Sequence, residues 1–133
     1  MSDQEETGQD RRHGGALAVD VARRYGVTHL FTLSGGHVFP LYDAATHADP
    51  PLPLIDVRHE QTAVFAAEAT ARLTRSPALA AVTSGPGVTN SVSAVTTAHF
   101  TGRRWWCWEA GHRTTAGARA ACRRSTILRC WPR

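Results

Sequence analysis

Three short apolar runs, over residues 28–33, 54–57 and 78–83, constrain this chain most. Each is closed by a turn of small or charged residues, and each turn opens a helical stretch. Strands that alternate with helices cannot pair as hairpins, so they line up parallel, with the crossover helices covering the sheet. The expected fold class is therefore α/β: a three-layer parallel sheet with helices on both faces. A strand buried on both sides has no polar face, as in Leu30-Phe31 with Leu33.

The helices are marked by period and punctuation. Over residues 15–25, Leu17, Val21 and Ala22 are expected on one face with Arg23 and Arg24 opposite, and Gly26 ends the helix. Over residues 37–45, Val38, Leu41 and Tyr42 point inward, and Pro40 is tolerable in the first turn, where a missing N–H matters least. Residues 46–53 carry three prolines and are expected to be irregular. The alanine-rich stretch 61–73 suits close packing. A last helix is expected over 88–100, capped by Thr89 or Asn90.

In parallel sheets, ligands meet the carboxyl ends of the strands. Three turns should converge there: Ser34-Gly35-Gly36-His37, Arg58-His59-Glu60 and Ser84-Gly85-Pro86-Gly87. Glycine turns at helix starts can cradle phosphate, but neither one here spells G-x-G-x-x-G or a P-loop. Taken alone they are turns that need positive φ or close backbone approach. Glu60 alone could be a carboxylate favoured by a helix dipole. His37 and His59 lack a second pair at ligand spacing, so no metal site is expected. Arg58 suits a surface salt bridge.

Together, Thr32-Leu33-Ser34-Gly35-Gly36-His37-Val38-Phe39-Pro40, Arg58-His59-Glu60-Gln61-Thr62-Ala63 and Thr83-Ser84-Gly85-Pro86-Gly87-Val88-Thr89-Asn90 carry more information than any one of them. In order and spacing, residues 14–100 resemble the N-terminal pyrimidine-binding domain of thiamine-diphosphate-dependent enzymes, nearest to the acetolactate synthase large subunit. The resemblance implies that Glu60 is the catalytic residue and binds the cofactor aminopyrimidine. A glutamate there hydrogen-bonds N1′ and favours the imino tautomer, which removes the thiazolium C2 proton. The ylid so formed attacks a 2-keto acid, and CO2 is lost. It implies that Pro86, Gly87 and Asn90 line the cofactor pocket and that Gly35, Gly36 and His37 face substrate. The subgroup serves branched-chain amino acid biosynthesis, as homodimers or larger assemblies. Its diphosphate and Mg2+ site, with a Gly-Asp-Gly motif, lies in another domain, and some members carry FAD. Neither feature has a counterpart here, so the chain is expected to be a truncated, inactive part of such an enzyme. It also departs within the glutamate helix, where Glu68-Ala69-Thr70 stands for the family's Glu-Gly-Tyr or Glu-Gly-Trp.

Composition breaks sharply after Phe100. Seven arginines face ten acidic residues up to that point, against eight arginines and one glutamate beyond it, with all four tryptophans and all three cysteines in the second part. Residues 101–133 fit no part of the family. Reading the last base of each codon with the first two of the next turns Trp105-Trp106-Cys107-Trp108-Glu109 into Val-Val-Leu-Gly, whichever synonymous codons are used. That is a buried parallel strand ending in a glycine turn, so the tail reads as out-of-frame translation. Without a native continuation, the third strand is expected to have an unpaired edge, and solubility to suffer. Two alternatives remain. One is a native Arg/Trp-rich tail that binds nucleic acid by phosphate contacts and stacking; the other is a non-functional gene remnant. Residues 1–13 are polar and expected to be disordered, with no secretory or lipidation signal. No apolar run approaches the ~20 residues that span a bilayer, so the cytoplasm is expected.

Overall fold

The computed structural model describes residues 13–101, 105–109 and 126–129. The order is α1 (Gly14–Arg24), β1 (Leu30–Thr32), a 3-10 turn (Gly36–Val38), α2 (Phe39–His47), β2 (Leu54–Asp56) and α3 (Glu60–Thr74), then β3 (Ala78–Val82), α4 (Pro86–Thr101), β4 (Trp105–Glu109) and β5 (Thr126–Arg129). Strand order in the sheet is β2-β1-β3-β4-β5. The first four strands are parallel and β5 is antiparallel to β4.

Alternation along the strands sorts the core into two layers. Ala78, Ala80 and Val82 of β3 join Phe31 against α3 and α4. Leu79 and Ala81 join Leu30 against α1 and α2. The expected three-layer α/β arrangement is therefore present, and every residue of β3 is buried. The chain moves from β1 to β2 under α2, then back across to β3 and β4 under α3 and α4. Connections in opposite directions on opposite faces keep all three crossovers right-handed.

Small residues set the spacing of the helices. Ala63, Ala67 and Ala71 of α3 are buried with Ala94 and Ala98 of α4. On the other face, a Cβ at Gly15 would fall 2.2 Å from the Pro40 carbonyl oxygen, so α1 touches α2 through bare backbone. Gly26, at φ 83°, ends α1 in the left-handed conformation that glycine adopts freely.

Several expectations are corrected. On α1 the buried residues are Gly15, Val19 and Ala22, while Leu17 and Val21 are exposed. The Gly15–Pro40 contact decides which face turns inward. His13 is not part of a disordered segment: its Nδ1 accepts from the Ala16 N–H at 3.2 Å and caps α1. Residues 1–12, also expected to be disordered, lie outside the described residues. α4 begins at Pro86, not Val88. Thr89 Oγ1 donates to the Pro86 carbonyl, and Asn90 turns to Glu60, so neither caps the helix. The outer edge of β3 is not unpaired. Trp105–Glu109 pairs with it in parallel, from Ala78 opposite Trp105 to Val82 opposite Glu109. Thr126–Arg129 adds β5 beside β4, and the other tail residues, 102–104, 110–125 and 130–133, with most of the stretch expected to bind nucleic acid or to be out of frame, lie outside the described residues. Among those described, no helix is long and apolar enough to cross a membrane.

Candidate functional site

The three turns meet at the carboxyl ends of β1, β2 and β3, and Thr83 joins two of them. A Cβ at Gly35 would lie 2.5 Å from Thr83 Cβ, and one at Gly87 would lie 3.0 Å from Thr83 Cγ2. Both glycines are there because Thr83 fills the space a side chain would need. Gly36 and Gly85, by contrast, would point a Cβ into open space. His37 Nδ1 comes within 3.5 Å of Ser84 Oγ, a weak contact that draws the first and third turns together.

Glu60 is the first residue of α3. Its N-cap, His59, accepts from the Gln61 N–H through Nδ1 at 3.2 Å, satisfying one of the orphan donors of the helix start. The local sequence thus explains the geometry: β2 ends at Asp56, the chain turns through Arg58, and a carboxylate opens the helix where its dipole favours negative charge. Arg58 is spent on Asp56 at 2.6 Å on the open surface. The Glu60 side chain points inward and is 8% exposed, the opposite of a carboxylate reaching into water.

Two residues of α4 receive it. Asn90 Nδ2 donates to Glu60 Oε2 at 3.0 Å. A Cβ at Gly87 would sit 3.5 Å from Glu60 Oε1, so this oxygen faces helix backbone stripped of a side chain. Gly87 and Asn90 are three apart and share one face of the helix. Pro86 supplies the first helical position, where its missing N–H costs nothing. Gly87 itself is buried, and Ser91 Oγ closes the turn by donating to its carbonyl at 2.8 Å.

The structure therefore brings Glu60, Pro86, Gly87 and Asn90 into one cluster. It places Gly35, Gly36 and His37 on the neighbouring turn, joined to that cluster through Thr83 and Ser84. Thr83 was not singled out from sequence; its position directly before the Ser-Gly-Pro-Gly turn was the available signal. Also missed was a buried hydroxyl chain under the same rim. Thr32 Oγ1 donates to the Ala81 carbonyl at 2.8 Å and lies 2.7 Å from Tyr42 OH. This ties β1, β3 and α2 together, and burial pushes the Tyr42 phenol above its ordinary value. Among the described residues no group of three His, Cys, Asp or Glu side chains could hold a metal ion.

An aminopyrimidine is planar, carries a ring nitrogen that shares a proton, and needs an apolar slot. A buried carboxyl oxygen beside a bare glycine fits that group on chemical grounds.

The comparisons with known proteins point the same way. The family model for the thiamine pyrophosphate enzyme, N-terminal TPP binding domain, matches residues 12–104. The chain is 49% identical over 92 residues to 2-hydroxyacyl-CoA lyase 2 of Danio rerio, covering 69% of this chain and 14% of that protein. It is 52% identical over 89 residues to the lyase of the same name from Bos taurus, covering 67% and 14%. It is 48% identical over 86 residues to the acetolactate synthase large subunit of Mycobacterium tuberculosis, covering 65% and 15%. The chain thus spans about one seventh of the length of these relatives. With the match running through all three turns and the carboxylate between them, the chain belongs to the thiamine pyrophosphate enzymes, as their N-terminal TPP binding domain.

Proposed function

We propose that the chain is the aminopyrimidine-binding portion of an acetolactate-synthase-like enzyme that decarboxylates a 2-keto acid and transfers the remaining fragment to an acceptor. The observation that carries this reading is the inward carboxyl of Glu60, held by Asn90 and facing bare helix at Gly87. The chemistry supplied by bound thiamine diphosphate is a carbon nucleophile that adds to a carbonyl and accepts the electron pair released by a leaving group.

This chain's own residues do the rest. Glu60 holds a proton against the ring nitrogen from a position shielded from bulk water, which strengthens that hydrogen bond. Gly87, beside the short ring of Pro86, leaves one wall of the slot bare, so the pyrimidine can lie close to backbone. Asn90 completes the pocket. Gly35, Gly36 and His37 look toward substrate from the adjoining turn. Residues 14–100 act as one cofactor-binding unit. Mg2+ and the diphosphate site belong to the longer parent protein, a cytoplasmic homodimer or larger assembly of a subgroup in which some members also carry FAD. Residues 101–133 are out-of-frame translation, a reading supported by the Val-Val-Leu-Gly that the shifted frame imposes at residues 105–109. An open shifted frame found by sequencing the gene through codons 95–110 and past the stop supports it; a closed one refutes it.

A second reading shares the same site. Relatives named 2-hydroxyacyl-CoA lyase 2 are as similar as the synthase. In that case the parent cleaves the carbon–carbon bond of a 2-hydroxyacyl thioester instead of joining two keto acids. The two share Glu60 and part company over the acceptor.

The test is a titration of the purified chain with 4-amino-5-hydroxymethyl-2-methylpyrimidine, followed by NMR. Resonances of Glu60, Gly87 and Asn90 should move in the parent chain and stay still in Glu60→Gln. If they stay still in both, or move equally in both, the assignment of Glu60 is wrong.

A further inference from the structure

The two oxygens of Glu60 are not equivalent. Oε2 receives the Asn90 amide N–H at 3.0 Å. Oε1 lies toward Gly87, where an added Cβ would be 3.5 Å away. Among the described residues no donor is directed at Oε1. One face of α4 therefore offers a donor to one oxygen and bare backbone to the other, from positions three residues apart.

We infer that Asn90 is a positioning residue for Glu60, one that reserves Oε2 as a permanent acceptor and confines the exchangeable proton to Oε1. An amide N–H donates and cannot accept. While Asn90 keeps its N–H on Oε2, a proton placed there would meet that donor, and the amide would have to turn over and present Oδ1 instead. The observed orientation therefore sets the proton on Oε1, the oxygen that faces bare backbone and can present it to a ring nitrogen. This differs from lining the cofactor pocket, because one Asn90 N–H is given to the carboxyl. The same bond stops the Glu60 side chain from rotating between its two faces, which fixes the direction in which the proton is offered. The inference rests on the thiamine reading for the use made of the proton, and on geometry alone for where the proton is.

Two measurements on the full chain separate these parts. In 15N-labelled protein, one of the two Asn90 side-chain NH2 protons should lie downfield of the other, as the one given to Glu60 Oε2. That separation should collapse in Glu60→Ala. NH2 signals unchanged by Glu60→Ala would overturn the inference. Affinity for 4-amino-5-hydroxymethyl-2-methylpyrimidine should fall about tenfold in Asn90→Ala, the scale of one hydrogen bond to a charged group. It should fall at least as far in Asn90→Asp, which keeps the shape and loses the donor. Asn90→Asp binding as tightly as the parent would leave only a space-filling role and overturn the positioning role. Should the pyrimidine fail to bind the parent while the NH2 signals still follow Glu60, the thiamine reading fails and the assignment of the two oxygens stands.

Discussion

Gly35 and Gly36 are neighbours in the sequence, and replacing each by alanine should have opposite outcomes. At Gly35 the backbone is extended, with φ −162° and ψ 142°, a conformation open to any residue. The obstacle is packing alone. The new Cβ would stand 2.5 Å from Thr83 Cβ and 2.8 Å from Thr83 Oγ1. Ordinary carbon contacts lie near 3.5–4.0 Å, so the turn and the end of β3 must separate by about 1 Å. Thr83 cannot yield by a rotamer change, because its nearest atom is Cβ and follows the backbone. Overpacking of this kind costs about 1–3 kcal/mol. For a domain of this size that lowers the melting temperature by roughly 4–20 °C. At Gly36 an added Cβ meets nothing within 4 Å. Alanine there removes freedom from the unfolded chain and should be neutral or stabilising by up to about 1 kcal/mol. Thermal unfolding followed by circular dichroism at 222 nm, with all three proteins in one buffer, reads both effects. If Gly35→Ala melts within about 2 °C of Gly36→Ala, well under the 4 °C or more expected for 1 kcal/mol, the Thr83 contact does not hold the turns together.

Further outcomes follow from other contacts. Burial raises the Tyr42 phenol above its ordinary value of 10.0, so the folded state binds that proton more tightly than the unfolded chain does. The resulting stability is complete below pH 10 and drains away as pH rises through the folded value; Tyr42→Phe should flatten this alkaline loss in urea melts taken from pH 8 to pH 11. Buried Glu68 accepts from Thr101 Oγ1 at 3.1 Å and otherwise pairs with Arg72 at 3.4 Å. Thr101→Val should therefore lower the urea midpoint by an amount equivalent to about 1–2 kcal/mol, and an unchanged midpoint would show that the end of α4 is not anchored this way. Supplied with thiamine diphosphate, magnesium and pyruvate, the chain alone should release no CO2 above background; sustained release would show that it does not depend on further domains.

Much of this molecule was legible because parallel α/β architecture leaves a double mark. Apolar runs and turns at their carboxyl ends located β1, β2, β3 and the rim in one reading, although only β1 and β3 are buried throughout and β2 lies largely exposed at the sheet edge. Glu60 taken alone read as a carboxylate favoured by a helix dipole; it was singled out by the resemblance that the three turns carry together, and the structure turns its side chain inward. What escaped depends on contacts that sequence period does not encode. Leu17 and Val21 have the right spacing to be core, yet Gly15 against Pro40 rotates α1 so that Val19 is buried instead. Asn90 looks like a cap by position, but a buried carboxyl 30 residues away competes for its amide. Thr83 carries no chemistry of its own and gains importance only through what it excludes. The pairing of Trp105–Glu109 with β3 runs against composition, because strand geometry asks little of side-chain identity when a neighbouring edge is available.

The seam between α3 and α4 has a mechanical meaning. Where the two helices meet the buried residues are alanines and Val64, short side chains with few or no rotamers to adjust. A contact built from such stubs behaves as a hard stop: the helices cannot slide nearer, and side chains cannot swing aside to let them. Glu60 sits on one helix and its amide partner on the other, so the gap between carboxyl and amide is gauged by backbone against backbone. A ring entering the slot would find the proton already aimed, with no need for the protein to close around it.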